Sequence, residues 1–275
     1  MIQALRDFFE KNPDLNRVLV QFGRPFTKSI QGLGRFVYFS IDAVRWTFIG
    51  PFHVRVLIRE MQKIGVNSTL IIALVGLFAG MVFALQTGSA FRLFNAESLV
   101  GSTVGIALSR ELAPVFTALM IVARAGSAMA AEIGTMGVTE QIDALRSMAV
   151  HPVNYLVVPR VIATTVMVPL LVGVFNALGL LGSYLVSIYL LQIPEGPYLY
   201  RYQLLVEPDD FYQGLIKGVV FGFVISLIAC YKGYHTKNGA EGVGRSTTEA
   251  VVAGSVTVLV ANYFLATWLL QLFPD

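Results

Sequence analysis

Arg110 and Glu111 stand side by side in Ser109-Arg110-Glu111-Leu112-Ala113-Pro114, while the flanking residues 99–108 and 115–123 carry no charge. At bilayer depth each charge costs about 2.5–3.5 kcal/mol on insertion scales, so such residues persist where they face a bundle interior or a wet cavity. Neighbouring helical positions point about 100° apart, so the two side chains cannot serve one partner in the same way. The chemistry on offer is charge pairing or recognition, because no nucleophile–base pair or metal-ligating set converges. His53, His151 and His235 are scattered, and a single cysteine, Cys230, excludes an internal disulfide and a cysteine metal cluster. Lys217 is a further charge inside an apolar stretch. Arg110, Glu111 and Lys217 could therefore form an ion-coupled relay, or Glu111 could simply hold helices together by pairing with Lys217 or Arg59. One tempting motif fails. Gly239-Ala240-Glu241-Gly242-Val243-Gly244-Arg245-Ser246 has the spacing of a phosphate-binding loop, but Arg245 replaces the required Lys and no strand precedes it. It reads as a flexible turn between two apolar stretches, which leaves the chain without an ATP site of its own.

The elements that must position these residues follow from hydropathy. The chain is 55% hydrophobic and 13% charged, roughly half the charge of an average soluble domain. Crossing a bilayer takes about 20 apolar residues. Five stretches qualify: 66–91, 99–123, 161–193, 211–231 and 250–273, the second interrupted by Arg110-Glu111 and the fourth by Lys217. The first 67 residues hold ten Lys/Arg against five Asp/Glu and contain no signal-type apolar core. By the positive-inside rule they are cytoplasmic, which puts the C-terminus outside. The acidic 193–210 loop then falls outside and the basic 232–249 loop inside, in agreement.

Residues 1–29 form a cytoplasmic N-terminal segment, and 30–65 an elbow before the permeating domain of 66–275. Within the elbow Gln31, Arg35, Tyr38, Asp42 and Arg45 recur at steps of four and three, which predicts an amphipathic helix lying in the interface; the alternative, a sixth and poorly hydrophobic span, would reverse the N-terminus and break the charge rule. Gly76, Gly80, Ala84 and Gly88 form a ladder of small residues, as do Gly214, Gly218 and Gly222, and Ala123, Gly126, Ala130 and Gly134 form a third patch. Between lipid-solvated helices such ladders permit close backbone approach, so they predict a tight bundle and no particular substrate. Between the second and third spans, Thr139 fits an N-cap, Glu140 suits the positive helix end, and Pro152 closes the segment. Ile142, Leu145 and Met148 line one face of this 139–149 helix, which is too short to stand alone in water. It must dock, either on its own domain or on a partner protein.

Ser109-Arg110-Glu111-Leu112-Ala113-Pro114 above all, with Arg59-Glu60 through Ile64-Gly65-Val66, Gly76-x3-Gly80-Met81-Val82, Leu85-Gln86, Ala123-Arg124-Ala125-Gly126-Ser127-Ala128, Ala131-Glu132-Ile133-Gly134-Thr135-Met136, Thr139-Glu140-Gln141-Ile142-Asp143-Ala144-Leu145 and Met148-Ala149-Val150-His151-Pro152, resembles the MlaE/YrbE permease family. The resemblance spans residues 55–270 and is most specific over 109–152. It implies an all-α integral membrane protein of five spans, a non-catalytic subunit of an ATP-binding-cassette phospholipid transporter in the inner membrane of a Gram-negative cell. It also implies a homodimer with an MlaF-like ATPase, a periplasmic MlaD-like hexamer of MCE domains and an MlaB-like STAS-domain protein. On this resemblance 139–149 is a coupling helix that presents Glu140, Ile142, Leu145 and Met148 to the ATPase. The first two spans line a lipid cavity, with Val82, Leu85, Phe94 and Leu99 as apolar walls and Gln86, Arg110 and Glu111 as headgroup anchors. One departure stands out: family members often carry an acid where the last span here has Asn262.

Overall fold

The computed structural model describes the backbone of residues 13–51 and 53–273, with side chains from residue 30 onward. In hydrocarbon every backbone N–H and C=O must be satisfied within its own segment, and the chain answers with helices. A first helix, α1 (Pro13–Ile49), forms a unit of its own, and residues from 50 onward form a second. α1 runs without a break at residues 29–30. Gln31, Arg35, Tyr38 and Arg45 are exposed on it, and so are Leu33, Val37, Ile41 and Phe48.

In the second unit, five helices are long and apolar enough to cross a membrane: α2 (Val54–Arg92), α3 (Glu97–Val138), α5 (Val153–Leu190), α7 (Pro208–Tyr234) and α8 (Gly239–Leu272). Two shorter helices join them, α4 (Gln141–Ser147) and α6 (Glu195–Leu205). Even the 27 residues of α7 rise about 40 Å, more than the roughly 30 Å of hydrocarbon. The all-α, five-span expectation is therefore met, but the helices outrun the apolar stretches. α5 opens at Val153 with Pro152 as its N-cap, so Pro152 starts a span rather than merely closing a loop. α8 begins at Gly239, which makes residues 239–246 helical where a flexible turn was expected; the turn is confined to residues 235–238. Charged side chains at a span end do not interrupt the i→i−4 ladder, so hydropathy underestimates helix length there.

α5 is the central spar, flanked by α2 and α7, while α3 packs against α2, α5, α7 and α8. The small-residue ladders perform the packing expected of them. A Cβ on Gly80 would sit 1.9 Å from the Gly179 carbonyl of α5, so only glycine admits this crossing. Large side chains fill the space between the ladders: Phe175, Ile72, Leu108, Ile121, Phe221 and Ile225 are fully buried, and Phe116 stacks on Phe175 with ring centroids 6.1 Å apart.

Candidate functional site

Ser109-Arg110-Glu111 lies in a π-type bulge of α3, Leu108–Leu112, followed at once by Pro114. The Ala113 N–H reaches back to the Leu108 carbonyl, and Pro114 has no N–H to offer. The carbonyls of Ser109 and Arg110 are thereby released from the helix ladder, an expensive condition away from water. α7 meets both, with a donor for one of them. Gly214 lets its backbone approach the Ser109 carbonyl so closely that a Cβ there would lie 2.1 Å from the oxygen. The Lys217 ammonium donates to the Arg110 carbonyl at 2.9 Å. Lys217 and Gly214 thus follow from the bulge and from Pro114 as much as from the charges.

The same ammonium donates to Glu111 Oε1 at 2.6 Å, and Asn262 of α8 donates its amide to Glu111 Oε2 at 2.9 Å. Lys217, not Arg59, is the partner of Glu111. The neutral amide at position 262 suits its neighbour, since a carboxylate there would repel Glu111 unless protonated. Arg110 turns away and donates through Nε to Asp210. Asp210 also accepts the Glu207 N–H at 2.9 Å, as one half of a reciprocal capping box that opens α7. The four charges cancel in pairs, yet they differ in access. Lys217 is 1% exposed and Asp210 is equally buried, whereas the Glu111 side chain is 43% exposed. Ser109 Oγ, Gln213 Nε2 and Asn262 Oδ1 are buried here without a protein partner, so the cluster is polar beyond its ion pairs.

One end of this region is closed by α6. Tyr198 packs its ring over Gly101 and Tyr202 over Gly105 of α3, and burial pushes both phenols above their ordinary pKa. Of the residues named as cavity walls and anchors, Val82, Leu85 and Gln86 are exposed on α2. Phe94 is exposed in the α2–α3 connection, where Arg92 and Glu97 pair at 2.8 Å, and Leu99 is half-buried. Glu111 takes its partners from α7 and α8 and none from Gln86.

The connecting helix α4 departs from expectation in its cap and its face. Its N-cap is Glu140, in the left-handed region with φ 60°, and not Thr139. Thr139 Oγ1 instead donates to the Thr135 carbonyl at 2.8 Å and so finishes α3, because a hydroxyl one turn past a helix carbonyl is committed there first. Ile142 is buried on this chain, Leu145 is half-buried, and Met148 lies past the helix end and is exposed. Arg146 anchors α4 by donating to the Tyr234 hydroxyl at 2.8 Å, a contact that raises its pKa still further.

A second charged network went unseen in the sequence. Arg160 of α5, 4% exposed, donates to Glu132 of α3 at 2.8 Å and to the Leu156 carbonyl at 2.7 Å, and lies 3.5 Å from Glu60 of α2. Lys63 reaches Glu132 at 3.0 Å and Glu60 at 3.6 Å. The signal was present in Arg59-Glu60 and Ala131-Glu132, but charges at span ends are ordinary and announce no partner.

The chain matches the family model described as Permease MlaE over residues 57–268. It is 43% identical over 243 residues to a probable ABC transporter permease protein of Rickettsia felis, covering 88% of this chain and 94% of that one. It is 39% identical over 214 residues to the intermembrane phospholipid transport system permease protein MlaE of Haemophilus influenzae, covering 78% and 82%. A chloroplast protein of Arabidopsis thaliana, TRIGALACTOSYLDIACYLGLYCEROL 1, is 36% identical over 222 residues, 81% of this chain and 63% of that one.

Proposed function

The chain belongs to the MlaE permease family and is the membrane-spanning permease of an ABC transporter, and from that premise we propose that its cargo is phospholipid moved between two membranes. One observation carries the reading. Glu111 holds a 43% exposed carboxylate midway along an apolar span while its inner side is fixed by Lys217 and Asn262. A headgroup needs a few fixed polar anchors beside apolar walls, and Val82 and Leu85 on the exposed face of α2 supply walls. The name of the Haemophilus relative supports the same cargo.

The partners follow from this reading. The permease works as a homodimer in a bacterial inner membrane, with its N-terminus cytoplasmic and its C-terminus periplasmic. An MlaF-like ATPase hydrolyses ATP and docks on α4, an MlaB-like STAS-domain protein accompanies it, and an MlaD-like MCE hexamer receives or delivers lipid outside. An ion-coupled relay through Arg110, Glu111 and Lys217 is the less favoured reading, because each of these groups is committed to a fixed polar partner. The test is Glu111→Gln in the assembled transporter. Dimerisation and ATPase binding should persist while phospholipid crosslinking beside residue 111 and lipid transfer fall about tenfold, the loss of one charge-assisted contact. Normal crosslinking and transfer would remove Glu111 from the site, and transfer that survives without ATP but needs a proton gradient would favour the relay.

A further inference from the structure

The second charged network carries, beside a cavity, a cation that no carboxylate among the described residues matches. A cavity of about 350 Å³ opens between α2 and α3, bordered by Glu60, Lys63, Asn67, Arg124, Ala128 and Glu132. Glu60 and Glu132 are each shared between Lys63 and Arg160, so two carboxylates are already matched by two cations. Arg124 is the third cation, and it touches no carboxylate among the described residues. Its Nη1 is held by Ser68 Oγ at 2.8 Å and by the Lys63 carbonyl at 3.2 Å. That leaves the N–H groups of Nε and Nη2 uncommitted, in a guanidinium whose plane two neutral acceptors have fixed. A fixed, partly buried guanidinium with spare donors is suited to a bidentate anion, and phosphate matches its geometry.

Position narrows the source of that anion. The uncharged stretch of α2 begins just past Lys63, so the cavity lies at the end of the span, at headgroup level. From its rim an exposed apolar row, Leu70, Leu74, Phe78 and Val82, climbs the same face of α2. From Leu70 to Val82 the helix rises about 18 Å, comparable to an extended lipid acyl chain. A shallow groove of about 430 Å³ lies along the row at Leu74, Phe78 and Val82. Charged cavity and apolar row together have the shape of one amphipathic molecule, and basic pockets between spans are known headgroup sites.

We propose that this cavity binds the phosphate of a phospholipid drawn from the leaflet at that end of the spans, with Arg124 donating to the phosphate and an acyl chain lying along Leu70, Leu74, Phe78 and Val82. Its polar anchor is distinct from Glu111, about 20 Å further along α3, and the apolar row joins the two at Val82. It gives the permease a holding point in the leaflet opposite the one nearer Glu97. Its ligand rests on the phospholipid reading above, while its location does not.

The test uses the full chain with a benzophenone side chain in place of Leu70, reconstituted in nanodiscs of phosphatidylglycerol and phosphatidylcholine. A second version carries the probe in place of Phe264 on α8, where bulk lipid is in reach. Arg124→Gln should lower the lipid crosslink from position 70 about tenfold and leave the crosslink from position 264 unchanged. Ala128→Phe, which fills the mouth from an exposed position and breaks no ion pair, should do the same even if the Arg124 variant folds poorly. An undiminished crosslink in both variants overturns the site, and so does a crosslink from position 70 to a second copy of the chain instead of lipid. In lipid-free detergent, inorganic phosphate is tested for protection of Arg124 against an arginine-modifying dicarbonyl. Protection together with a crosslink indifferent to Arg124 would assign the cavity to free phosphate and overturn the lipid site. If the assembled transporter moves no phospholipid while the position 70 crosslink still depends on Arg124, the site stands and the cargo reading falls.

Discussion

The two charged networks of this permease answer different demands. The mid-span cluster sets Arg110 on Asp210 and Lys217 on Glu111, and it also serves the backbone: Lys217 answers a carbonyl stripped by Pro114, and Asp210 caps a helix N-terminus. The span-end network shares each carboxylate between two cations and leaves Arg124 without one among the described residues. At mid-membrane depth an unmatched charge is too costly to keep, whereas near the headgroups water and lipid phosphate moderate the cost. The contrast teaches that depth decides how completely charges must be matched, and that a surplus charge is tolerated only where a ligand or solvent can answer it.

The sharpest way to break this contrast is Asp210→Ala. It takes Asp210 away from Arg110 and removes half of the capping box at once, so the loss should reach about 3–5 kcal/mol. A fall of about 10 °C in the thermal midpoint of the detergent-solubilised protein is expected. A loss no greater than that of an ordinary surface substitution would mean that solvent reaches this cluster freely.

The counterpart in the other network is Glu132→Gln. Glu132 is 38% exposed, its carboxamide replacement still accepts one hydrogen bond, and Arg160 retains Glu60 and the Leu156 carbonyl. The expected cost is about 1 kcal/mol, or a shift of about 2–4 °C in the same assay. If the two variants cost the same, the mid-span and span-end networks would be energetically equivalent and the argument from depth would fail.

What was legible in the sequence divides along the same line. The five spans could be read because uncharged runs of this length have few other uses. Glu111 with Lys217 could be named as a pair because both interrupt apolar stretches, where a lone charge advertises its need for a partner. Asp210 could not, since it stands in an acidic loop and looks like one more solvated carboxylate; only the fold brings it back onto a residue 100 positions earlier. Glu60, Glu132 and Arg160 were hidden for the same reason. Helix ends were misjudged wherever charges begin, because the backbone ladder continues past the hydrocarbon, and the bulge at Leu108–Leu112 has no hydropathy signature at all.

The smallest effect on the fold, and the most informative for coupling, lies on α4. Its expected apolar face has diverged: Ile142 is committed to this chain, Leu145 is half-buried, and Met148 is 64% exposed beyond the helix end. If the short helix serves an ATPase, the docking surface must be drawn from what the chain leaves uncovered, namely Met148 and the open side of Leu145. Met148→Asp should therefore shift the thermal midpoint of the isolated permease by no more than the scatter of surface substitutions, about 0.5 kcal/mol. It should nevertheless abolish co-purification of the ATPase or transport by the complex, because the new carboxylate would be desolvated in the contact. Ile142→Asp should behave in the opposite way and destabilise the permease itself before any partner is added. Stable Met148→Asp protein that assembles and transports normally would show that this face of α4 receives no partner, and attention would pass to the exposed Glu140 at the left-handed turn before it.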